Sequence, residues 1–144
     1  MKIALVHDLA EALAGDVDAV LIAEGKVTKE EKLRREEEAW NTMMNELPPD
    51  QGHQLSAWRS EYEAGATAEA MFVKAMDKLE TLLQLVETGY AIYDKPDFIP
   101  TYADKAVAKV PELHGVLGEI KKRLKIEFNK GGIKWRGEYD AFLE

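Results

Sequence analysis

Cysteine is absent from this chain of 144 residues, which excludes disulfides and thiolate metal sites. Any metal must then be held by histidine and carboxylate side chains. Strand-type alternation of Val, Ile and Thr is almost missing, so a sheet-based fold is not expected. No segment approaches the roughly 20 consecutive apolar residues of a membrane helix. The start, Met1-Lys2 followed by an apolar run, falls short of a signal peptide because His7, Asp8 and Glu11 interrupt it. Walker loops, dinucleotide fingerprints and internal repeats are lacking as well. Basic residues are in the minority, 19 Lys and Arg against 27 Asp and Glu, for a net charge of −8. That balance disfavours a binder of nucleic-acid polymers, which needs a basic footprint. Together these absences lead to the expectation of a cytoplasmic protein with neither a membrane nor a nucleic-acid polymer as partner.

What is present is a helix-forming composition, 46% hydrophobic and 32% charged, rich in Ala, Glu, Lys and Leu. At this length the expected organisation is a single domain over residues 1–144, burying roughly two thirds of its unfolded surface. A first helix is expected up to Ala14, stopped by Gly15, with Asp16 on the departing loop. Val17 to Val27 reads as a connection with an apolar anchor at Val20-Leu21-Ile22-Ala23. Thr28 with Glu31 forms a capping box that opens a helix running to about Leu47, where Pro48-Pro49 ends it. Its apolar stripe is Leu33, Trp40, Met44 and Leu47. The charge run Lys29 to Glu38 reads as a solvated face with pairs such as Glu31 and Arg35.

A shorter helix follows from Asp50 to Glu63, with His53 on its polar side, and Gly65 ends it. The strongest core helix begins after Thr67 and reaches about Tyr90, with Phe72, Met76, Leu79, Leu83 and Val86 as its expected stripe. Pro111 can start a further helix carrying Leu113, Leu117, Ile120 and Leu124, which Asn129-Lys130-Gly131-Gly132 stops. The tail from Ile133 to Glu144 is aromatic enough to dock on the core or on a partner.

Chemistry concentrates at the front. His7, Asp8, Glu11 and Asp16 are four polar groups set in the otherwise apolar run Ala4 to Asp16. In a helix, Glu11 stands at i+4 from His7 and i+3 from Asp8, so the three can converge on one face. Imidazole and carboxylate are ordinary ligands of first-row metals, and a neighbouring carboxylate can serve as base toward water. Apolar residues surround this stretch, so some of the polar groups should be buried and in need of partners. A metal-dependent hydrolase is the first expectation, and the plain alternative is an exposed polar stripe on an interaction helix.

The order His7-Asp8, Glu11, Gly15-Asp16, the segment Lys29 to Ala39, and Ala68-Glu69-Ala70 through Phe72-Val73-Lys74 to Asp77 resembles the HD-domain phosphohydrolases, in particular their 5'-deoxynucleotidase branch. The resemblance covers about residues 3 to 90 and weakens beyond Tyr90. It implies an all-α HD-domain helical bundle, N-terminally truncated relative to the family, that hydrolyses deoxynucleoside 5'-monophosphates with a divalent cation such as Mn, Co or Zn. It also implies His7, Asp8 and Asp77 as metal ligands, Glu11 as the residue serving the attacking water, and Asp16 at the substrate or leaving group. The family's first histidine ligand lies on an upstream helix, in a Glu-His-x-x-Arg motif. Here only six residues precede the His-Asp pair. Two outcomes are expected from that difference: the chain starts too late in its gene, or it is a genuine short form that self-associates as a homo-oligomer. A catalytically inactive binding or assembly module is the competing function.

Overall fold

The computed structural model describes residues 1–15, 21–22 and 25–143. Every element among them is helical, which makes the protein all-α as expected. They fall into two compact units, Met1–Ala66 and Thr67–Glu144.

In the first unit, α1 (Lys2–Val6) and α2 (Glu11–Ala14) are separate short helices. This corrects the single helix read from the sequence. Between them the backbone bonds tighten to an i+3 spacing, from Leu9 N–H to the Val6 carbonyl at 3.3 Å and from Glu11 N–H to the Asp8 carbonyl at 3.0 Å. The His-Asp pair therefore sits in a tight turn, a geometry characteristic of 3₁₀ structure. Gly15 ends α2 with φ of 77°.

α3 (Lys29–Asn45) opens where the capping box placed it, the Thr28 side chain accepting a bond from Glu31 N–H at 3.1 Å. Its outer face carries Arg35 on Glu31 at 2.8 Å and Arg34 on Glu38 at 2.6 Å. The charge run is the solvated face expected. α4 (Pro49–Ala64) ends at Gly65 in the left-handed region, where a residue without Cβ is unstrained. His53 on α4 is exposed as expected.

α1 packs on α4, α2 on α3, and α3 on α4. Their shared core is Val6, Ala10 and Trp40, with Leu9, Met43, Met44, Leu55 and Trp58 around it. Trp40 is anchored by its indole N–H on Ser56 Oγ at 3.1 Å, which satisfies the one polar atom of a buried aromatic. Leu33 does not share in this core and is exposed.

The second unit is built on α5 (Ala68–Thr88), capped by Thr67 as the sequence indicates. Its buried face is Ala70, Val73, Ala75, Leu79 and Leu82. Phe72, Met76 and Leu83 of the expected stripe are 45%, 42% and 37% exposed. Fully buried Ala75 marks why the face is rotated: a small side chain lets neighbouring elements approach closely, a preference that large-residue periodicity overlooks. α6 (Asp104–Val107) and α7 (His114–Lys130) pack on α5. The core they build runs through Leu117, Leu124 and Phe128 to Tyr139.

The tail docks on its own unit. Trp135 and Tyr139 meet Phe128 edge-on at 5.3 and 6.5 Å, and fully buried Lys121 donates to the Tyr139 carbonyl at 3.1 Å while pairing with Asp104. Gly118 makes the closure possible, since a Cβ there would lie 2.5 Å from the Phe142 carbonyl oxygen. Gly118→Ala should displace the tail and cost about 1–3 kcal/mol. A thermal unfolding curve that overlays the wild type would contradict this. The Val17–Val20 and Ala23–Glu24 parts of the expected connection, like Asp16, lie outside the described residues.

Candidate metal centre

The turn between α1 and α2 brings His7 and Asp8 together. His7 Nδ1 lies 2.8 Å from the Ala4 carbonyl, an acceptor only, so the ring proton must sit on Nδ1. In a neutral imidazole Nε2 then carries the lone pair, and Nε2 stands 2.8 Å from Asp8 Oδ2. A lone pair and a carboxylate oxygen at that separation repel unless a proton or a metal cation lies by them. The His7 side chain is only 16% exposed, its ring set edge-on to Tyr62 at 5.1 Å. The Ala4 hydrogen bond and the Tyr62 contact both hold the ring orientation. A hard or borderline divalent cation fits this nitrogen and oxygen donor pair.

Glu11 begins α2, one turn beyond the pair, and is half-buried. Lys32 of α3 reaches its Oε1 at 3.4 Å and Glu36 at the same distance. Burial works against the Lys32 ammonium, but Glu36 and Glu11 outweigh it and hold its pKa above the ordinary value. Lys32 therefore remains a cation that keeps the Glu11 carboxylate directed. Read from sequence, it is simply part of the solvated run; its second role rests on a contact across 21 residues.

Asp77 stands in the middle of α5, partly buried, with Lys78 Nζ 3.2 Å from its Oδ2. Lys78 also donates to Tyr102 Oη at 2.8 Å. Burial opposes the Lys78 charge; the Tyr102 hydroxyl and Asp77 more than compensate, so its pKa too is raised. Asp77 is thus an acid paired with a neighbouring lysine, which a tyrosine 24 residues further on also holds. His114 on α7 is set edge-on to Phe142 at 4.9 Å and its buried Nε2 lacks a hydrogen-bond partner.

The family model for the HD domain matches residues 1–106, and the chain belongs to that family. Among curated proteins it is similar to the 5'-deoxynucleotidase HDDC2 of Bos taurus and that of Homo sapiens, each 36% identical over 122 residues, covering 83% of this chain and 57% of the relative. The 5'-deoxynucleotidase hdd1 of Schizosaccharomyces pombe is 40% identical over 125 residues, covering 83% and 61%. The chain thus spans roughly three fifths of the length of these relatives. No solved structure matches it. No helix among the described residues is long and apolar enough to cross a membrane.

Proposed function

We propose that the protein is a metal-dependent phosphohydrolase that converts deoxynucleoside 5'-monophosphates to deoxynucleosides and phosphate. The observation that carries this reading is the His7 and Asp8 donor pair, with its imidazole proton fixed on the far nitrogen, in a chain of the HD-domain family. The names of the relatives supply the substrate class.

In this reading His7, Asp8 and Asp77 hold one divalent cation; Mn, Co and Zn all suit the donor types. When bound, such a cation supplies positive charge for the phosphoryl oxygens and acidifies water. The protein's own residues do the rest. Glu11, steadied by Lys32, accepts the proton of the water whose oxygen attacks phosphorus. As the bond from phosphorus to the 5' oxygen breaks, the leaving alkoxide must be protonated, and we assign Asp16 to that end of the substrate. The same reading makes the protein cytoplasmic and a homo-oligomer. Oligomerisation is supported by the exposed apolar side chains Phe72, Met76, Leu83, Val116 and Ile126 of the second unit.

Glu11→Ala tests the division of labour. Turnover should fall by about 10²–10⁴-fold, the usual contribution of a positioned acid or base, while Mn²⁺ affinity measured by calorimetry stays within a few-fold of wild type. Phosphate release at the wild-type rate would exclude Glu11 from this role.

A further inference from the structure

On α5 the Lys78 ammonium has partners on two sides. Its Nζ lies 3.2 Å from Asp77 Oδ2, 2.8 Å from Tyr102 Oη and 4.6 Å from the centre of the Tyr102 ring. Tyr102, 24 residues away in sequence, lies just before α6 and is half-buried beside the core. An ammonium can rest on a tyrosine through both the hydroxyl and the ring face, so Tyr102 alone can keep this charge solvated.

A cation already resting on a carboxylate must be displaced, or must share it, when a second cation binds there. Two positive charges on one carboxylate repel, and in a partly buried setting water screens that repulsion weakly. We propose that Lys78 is a tethered competitor of the divalent metal for Asp77, with Tyr102 as the place that keeps its ammonium when the metal takes the carboxylate. Lys78 then sets the metal affinity from outside the ligand set, and Tyr102 limits the penalty it imposes. The inference rests on the reading of Asp77 as a metal ligand.

The competition fixes opposite signs for two neighbouring substitutions. Lys78→Met removes the competitor and should tighten Mn²⁺ binding by about tenfold or more in calorimetry at constant ionic strength. Lys78→Arg keeps the charge and should stay near the wild-type affinity, which separates charge from packing. Tyr102→Phe removes the hydroxyl that retains the displaced ammonium, and should weaken Mn²⁺ binding by about threefold to tenfold. In a Lys78→Met background the same Tyr102→Phe change should have no effect, because its only route to the metal is gone.

Equal or weaker Mn²⁺ binding by Lys78→Met, with Asp77→Ala still abolishing binding, overturns this inference alone. A rise in substrate KM in Lys78→Met with Mn²⁺ affinity unchanged overturns it in favour of a direct phosphate contact. Mn²⁺ binding by Asp77→Ala equal to that of wild type overturns the metal assignment itself, and this inference with it.

Discussion

Asp8→Ala should weaken Mn²⁺ binding by more than about 100-fold, because loss of a direct donor exceeds the 10–100-fold typical of losing an outer partner of a metal ligand. Asp77→Ala should do the same. Asp8 Oδ2 is 2.8 Å from His7 Nε2, and the Nδ1 proton bonded to Ala4 leaves the Nε2 lone pair open to a cation. Of the proposed ligands, removing the Asp8 carboxylate leaves the His7 imidazole and Asp77, a two-donor set that holds a divalent ion poorly. Asp8 is largely exposed and outside the core, so folding should survive, and circular dichroism of the variant should match wild type. Calorimetric titration decides the matter: unchanged affinity in both variants would remove the ligand assignment.

Phe128→Ala should destabilise the protein by about 3–5 kcal/mol, for the loss of a fully buried aromatic and the cavity it leaves. Phe128 is 0% exposed and packs against Tyr93, Trp135 and Tyr139 with ring centres 5.3 to 6.5 Å apart. It joins α7 to the segment after Tyr90 and to the tail, so its removal loosens three parts of the second unit together. The expected signature in urea is an earlier transition accompanied by a change in Trp135 emission. A loss below about 1 kcal/mol would mean that the site collapses to fill the space, contrary to the close packing described.

How much of this could be read from the sequence depended on the range of the interaction. Thr28, Gly65 and Thr67 are legible because a cap acts on the backbone within three or four residues. The His7, Asp8 and Glu11 group is legible for the same reason, although the break between α1 and α2 is not: a change from i+4 to i+3 bonding leaves little trace in composition. The rotated face of α5 escaped because Ala70 and Ala75 carry the packing while Phe72 and Met76, which dominate a periodicity reading, remain exposed. Asp77 stood out through family resemblance alone; by itself it is an acid beside a lysine. Lys32 on Glu11, Lys78 on Tyr102 and Lys121 on the Tyr139 carbonyl pair residues 18 to 24 positions apart. No local pattern marks such partners before the fold brings them together. The docked tail belongs with them, its aromatic content visible in sequence and its place on Phe128 visible only in the structure.

The measurement that tests the central reading most directly is phosphate release from a deoxynucleoside 5'-monophosphate by the wild-type chain, stripped with a chelator and then titrated with Mn²⁺. Release should disappear on chelation, return as Mn²⁺ is added and stay absent in Asp8→Ala. Release unaffected by the chelator, or no release at saturating Mn²⁺, would contradict that reading.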